Sequence, residues 1–336
     1  MTQTVTAIDI GLTVAVLLIV GMTLFQRTRK AQVLAFLGLG VIISLVWLRL
    51  GSVDVGLAEA ALGSGILSAV LVILAAAPSA DAAHLVQAQR QRDNVPVWVS
   101  VVVGLVSGVV LVVMMASVWL RAAQRLPQWE ALFTPAMNAL PVDHGITGVL
   151  LSFRAYDTLL ESAVLMFAAI LARSLMPNDT FHELAATHRT FLGPARALDF
   201  SWAYRLIVPL LLLVGLWLLF AGTSQPGGAF QSGAVLAGML IMIQLAGGRL
   251  DYLVRTWLTP LAIIGVVVFT LAAGLGLGWG TAWFSWPTVG AYAVILTIEI
   301  TLTVGIASGL FMLYLAASYR SVAPAPADSN HREVSP

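Results

Sequence analysis

The chain has 336 residues, 59% hydrophobic and only 10% charged, against about 25% charged in an ordinary soluble domain. A water-soluble fold of this size has no way to hide so much apolar surface, and a net charge of +1 offers no basic excess for a phosphate backbone, so soluble enzymes and nucleic-acid-binding proteins are excluded. With no cysteine, and with His84, His144, His182, His188 and His331 all outside the long apolar runs, disulfides, cysteine-ligated clusters and a membrane haem between paired histidines are excluded too.

A spanning helix needs about 20 mostly apolar residues. Nine stretches qualify, at about 9–25, 31–50, 54–77, 95–120, 156–176, 203–222, 230–247, 257–278 and 288–318. The fold class expected is all-α, a polytopic integral membrane protein of about nine spans. The first stretch does not read as a cleaved signal, because Thr2–Asp9 carries no positive charge. Residues 78–94 and 177–202 read as polar inner linkers, and 121–155 as a long outer loop. Within that loop GITGVLLSF, 145–153, is too short to span and reads as a strand or a surface-packed segment. The Pro-rich tail 321–336 reads as disordered and cytoplasmic.

Basic residues set the orientation. With the N-terminus outside, thirteen of the seventeen lie inside, among them Arg27, Arg29, Lys30, Arg249 and Arg255. Arg49, Arg121, Arg125 and Arg154 lie outside. The expectation is an outer N-terminus and an inner C-terminus. Trp47, Trp98, Trp119, Trp202, Trp257, Trp279, Trp283 and Trp286 fall at span ends, where amphipathic rings prefer the interface.

Three glutamates lie within the spans: Glu59, Glu161 and Glu299. Glu299 falls about 16 Å into the last span at 1.5 Å per residue. An ionised carboxylate at that depth costs about 2.5–3.5 kcal/mol on the insertion scale, so it faces protein or water and is a candidate for an ion path. The competing reading is a neutral carboxyl bonded to Thr297, Thr301 or Thr303. Glu59 and Glu161 sit early in their spans and each follows an aspartate, in Asp54–Glu59 (DVGLAE) and Asp157–Glu161 (DTLLE). Acids in a first turn also simply complement the helix dipole, so a transport role and a structural one both stand. Gly63, Ser64, Gly65 and Ser68 form a small-residue face, which places Glu59 toward another helix.

The loop 222–233, GTSQPGGAFQSG, has no charge and four glycines. Pro226, Gly227 and Gly228, followed by Phe230, suggest a reversal with positive φ. Its backbone either lines a polar cavity or makes an ordinary hairpin. His182 and His188 beside Glu183 do not have the spacing of a helical metal pair, and no metal site, cofactor or catalytic centre is expected.

Residues 223–247, including PGGAFQSGAVLAGMLIMIQLAGG, resemble the MrpB subunit of Mrp-type multisubunit cation/proton antiporters. Ala229 and Ser232 stand where that loop usually has glycine. Residues 153–161, FRAYDTLLE, resemble a motif of the C-terminal part of MrpA, also found as a small subunit of membrane-bound hydrogenases. Residues 53–65, VDVGLAEAALGSG, resemble the segment before it, with Val53 in place of a proline. The resemblance covers about 9–320 and implies MrpA-like blocks at 1–85 and 86–180 and an MrpB-like block at 195–320. It implies an accessory subunit that contributes Glu59, Glu161, Glu299, Asp54 and Asp157 to a Na⁺/H⁺ path, with Na⁺ held transiently at Glu161. The partners implied are antiporter-like and small Mrp-type subunits in a bacterial or archaeal inner membrane. Lys30 is the one lysine, so a buried lysine relay is expected from those partners. Two other readings stay open: a subunit of the ion-pumping arm of a redox-driven complex, and a purely structural bridge.

Overall fold

The computed structural model describes residues 6–76, 97–123, 129–138, 140–176, 194–248, 250–279, 282–287 and 289–322. Every regular element among them is a helix. In chain order these are α1 (Ala7–Phe25), α2 (Arg29–Arg49), α3 (53–76), α4 (Val97–Ala123), α5 (Trp129–Met137), α6 (145–153), α7 (Ala155–Ser174), α8 (Pro194–Ala221), α9 (Ala229–Leu245), α10 (253–279) and α11 (Ala291–Val322). Eight are long and apolar enough to cross a membrane, and α9, at 17 residues, is a shorter apolar helix. These nine match the nine apolar stretches. The segment 145–153 is helical rather than a strand, because its backbone groups close on one another within the run. Residues 194–202 of the expected linker 177–202 open α8, and 321–322 of the expected tail end α11; the linker 78–94, residues 177–193 and 323–336, and His84, His182, His188 and His331 lie outside the described residues.

The chain forms two compact units, Met1–Ala77 with Leu140–Ala323, and Pro78–Ala139 with Pro324–Pro336. In the second, α4 is a 27-residue apolar helix whose valines are exposed along its length. In the first, α11 is the axis. Within its most apolar window 67% is buried, against none for α1. It packs against α7, α9, α10 and the last turns of α3. The seams are drawn tight by small residues. A Cβ on Gly265 of α10 would lie 2.8 Å from the Leu302 Cα, and one on Gly233 of α9 2.7 Å from the Ile306 side chain. Close backbone approach of this kind is how helices associate where lipid is as apolar as leucine.

At the other flank α1 and α2 form a hairpin. Arg49 reaches Asp9 at 2.9 Å, tying the end of α2 to the start of α1. α2 then packs on α3, where Gly40 meets Ser64, part of the small-residue face.

Three helices contain a widened π-turn: Glu59–Leu67 in α3, Val149–Phe153 in α6 and Leu253–Trp257 in α10. In α3 the hydroxyls of Ser64 and Ser68 donate to the carbonyls of Ala60 and Gly63, at 3.0 and 3.2 Å. Such turns often mark functional positions in helices.

Candidate functional site: a carboxyl-lined cavity under a glycine loop

A cavity of about 410 Å³ opens in the first unit between α3, α6, α7, the α8–α9 loop and α11. Asp54, Glu161 and Glu299 line it, with Thr147, Thr158, Gly227, Gly228, Phe230 and Gln231. Three of the five acids expected on an ion path are thus brought together from three helices.

Glu299 lies on the axis helix, about 12 Å along it from Ala291 at 1.5 Å per residue. It is 3% exposed. Its Oε2 has no hydrogen-bond partner, and among the described residues no ion pair reaches it. Thr303, one turn on, is buried with its own hydroxyl unpaired, and no bond joins Glu299 to Thr297 or Thr301, whose hydroxyls donate to helix carbonyls. A carboxyl in such a place lacks the partners that normally offset burial.

The α8–α9 loop folds over this carboxyl. Gly222, Gly227 and Gly228 are buried. Gly228 has φ +113°, a region open to glycine, and its N–H donates to the Leu218 carbonyl at 2.9 Å. A Cβ on Gly222 would lie 2.6 Å from the Gly228 Cα and 3.2 Å from Glu299 Oε1. The loop's two limbs therefore meet with no room for a methyl group, and the carboxyl lies against them. Irregular backbone at this depth is tolerated where it lines protein or water. Phe230 lines the cavity; Pro226 makes the bend without lining it.

Asp54, 6% exposed, is held at both oxygens. Oδ2 accepts from His144 Nε2 at 3.0 Å and Oδ1 from the Gly227 N–H at 3.1 Å. Gln231 Nε2 donates to the Asp54 carbonyl at 3.4 Å. The segment before α6 ties down the first limb. Asp143 and His144 N–H both donate to the Thr223 carbonyl, at 3.0 and 3.1 Å, and Thr147 Oγ1 donates to the Gly222 carbonyl.

Glu161 is exposed on the outer side of α7 and lines the cavity from there. The other two expected acids do not line the cavity. Asp157, in the first turn of α7, pairs with Arg154 three residues earlier. Glu59 lies at the start of the π-turn in α3, its carboxyl laid across Gly63. Among the described residues no three carboxyl or imidazole groups converge as a metal-holding cluster.

His144, Thr147, Thr158 and Gln231 belong to the site and were not among the expected residues. Thr158 Oγ1 donates to the Leu150 carbonyl in the π-turn of α6, at 2.7 Å. His144 lies 90 positions from Asp54, and no local pattern joins them.

Residues 200–316 match the family model described as a domain related to the MnhB subunit of Na⁺/H⁺ antiporter. Residues 5–77 match the family model of MbhD, a subunit of MBH. The stretches 223–247 and 53–65 fall inside these matches; FRAYDTLLE falls in neither. No curated protein matches the chain. Among solved structures, a chain of the Mrp complex from Dietzia sp. DQ12-45-1b shares the fold, with a TM-score of 0.70 and 19% identity. That alignment covers 97% of this chain and 36% of the Dietzia chain. In one polypeptide, then, this protein joins an MbhD-like module to an MnhB-related module.

Proposed function

We propose that the chain is an accessory membrane subunit of an Mrp-type cation/proton antiporter, and that its carboxyl-lined cavity is a segment of the ion path. The observation that carries this reading is Glu299: a carboxyl 3% exposed, with one oxygen unpaired, facing a cavity under a glycine loop. Ionisable groups inside membranes are costly and mark ion and proton paths. A carboxylate suits the task because it holds either a proton or a partly dehydrated hard cation such as Na⁺. Glu161 takes the ion at the exposed end of the cavity and Glu299 at the buried end. Asp54, with both oxygens engaged, serves the path by holding the loop. Asp157 and Glu59 act through helix structure, outside the cavity.

Antiporter-like membrane subunits would supply the main proton channels. The chain lies in the inner cell membrane with its N-terminus outside, as thirteen of its seventeen basic residues favour. The blocks 1–85, 86–180 and 195–320 are its units of descent. The match of 5–77 to MbhD favours a second reading, a subunit of the ion-pumping arm of a redox-driven complex. Co-purifying subunits separate the two: a hydrogenase-like partner supports the second and overturns the first.

The conduction claim is tested by Na⁺-dependent ΔpH in vesicles carrying Glu161→Gln or Glu299→Gln at matched complex assembly. Loss of most exchange in Glu299→Gln, and a marked reduction in Glu161→Gln, are expected. Wild-type exchange in both would leave the chain a structural bridge.

A further inference from the structure

We infer that His144 is a positioning residue that sets the width of the glycine loop, and with it the size of cation that Glu299 admits. This rests on reading Glu299 as an ion-path carboxyl. His144 is tied to both limbs of the loop, directly to the first and through Asp54 to the second. Its backbone N–H donates to the Thr223 carbonyl on the first limb at 3.1 Å. Its imidazole Nε2 donates to Asp54 Oδ2 at 3.0 Å, and Asp54 Oδ1 in turn accepts from Gly227 on the second limb at 3.1 Å. His144 and Asp54 together therefore link the two limbs where Gly222 and Gly228 meet over Glu299.

The gap between the limbs is narrow. An ideal Cβ on Gly222 comes within 3.2 Å of Glu299 Oε1, and one on Gly228 within 3.6 Å. A small relative movement of the limbs changes the space at the carboxyl directly. The His144 side chain is 16% exposed and that of Asp54 8%, so water competes little for their bond. Hydrogen bonds to a carboxylate are also the stronger kind. Selection among hard cations by cavity size and rigidity follows from such a frame.

The test uses the assembled complex in detergent, with carbodiimide labelling of Glu299 read by mass spectrometry and Na⁺ or K⁺ as the protecting cation. His144→Gln keeps an N–H donor close to the Nε2 position; His144→Asn and His144→Ala do not reach Asp54. The Na⁺ concentration for half-protection is expected to rise about tenfold in His144→Asn and His144→Ala, the loss of one charge-assisted bond. It should change less for K⁺, so that the preference between the two ions falls. His144→Gln should stay within about threefold of wild type, because its donor is retained. Equal half-protection in the Asn and Gln variants overturns this inference alone, whether or not the Ala variant assembles. No Na⁺ protection in the wild-type chain overturns the ion-path reading, and this inference with it.

Discussion

Gly222 shows how little tolerance the site has. A Cβ there would stand 2.6 Å from the Gly228 Cα, a distance that backbone atoms do not accept, so Gly222→Ala has to prise the loop open. Overpacking of this kind costs about 1–3 kcal/mol. The melting temperature of the assembled complex should fall, and exchange with it. Gly238, on α9, has nothing within 4 Å of its ideal Cβ, so Gly238→Ala should leave the melting temperature unchanged or raise it slightly. Equal shifts in the two variants would contradict the close approach of the limbs. The glutamates divide in the same way. Glu161 lines the cavity and Glu59 does not, so Glu59→Gln should lower Na⁺-dependent exchange less than Glu161→Gln, at equal assembly. The reverse order would mean that the path runs along α3 instead.

At the scale of the element, the α10–α11 seam joins folding to the site. Gly265 meets the backbone of Leu302, and Leu302 lines the cavity one turn below Glu299. Gly265→Val should therefore part the helices and lower both the yield of assembled complex and its thermal stability, by the same overpacking cost of about 1–3 kcal/mol. Unchanged stability on a thermal-shift measurement would show that the seam is looser than described. Long elements were legible in the sequence because apolar runs of about 20 residues have few other uses. Asp54, Glu161, Glu299 and the glycine loop were legible because an acid or a chargeless glycine cluster is conspicuous in an apolar chain. Segment 145–153 was not, since a nine-residue apolar run fits either a strand or a buried helix by periodicity. The π-turns left no readable mark either: one extra residue in a turn shifts register too little to show in hydropathy. The Asp54–His144 bond was hidden by the 90 positions between its partners. His144 looked like a loop residue because only the folded chain brings it beneath the loop that it braces.

At the scale of the whole molecule, the orientation rests on the distribution of basic residues and has a simple test. The chain has no cysteine, so single substitutions report cleanly. With the N-terminus outside, Ser52→Cys, between α2 and α3, should react with a membrane-impermeant maleimide added to intact cells. Gln26→Cys, between α1 and α2, should react only after the membrane is opened. The opposite pattern would invert the chain and turn the cavity's exposed end toward the other side. The small share of charge that first marked the chain as a membrane protein also isolates its central feature. One carboxyl on the most buried helix has an oxygen without a partner and sits beneath a loop with no room to spare. The most direct measurement is Na⁺-driven proton movement in vesicles carrying the complete complex, wild type against Glu299→Gln, with subunit content matched. The variant should assemble normally and lose most of the exchange. A normally assembled Glu299→Gln complex that exchanges at the wild-type rate would contradict the ion-path reading.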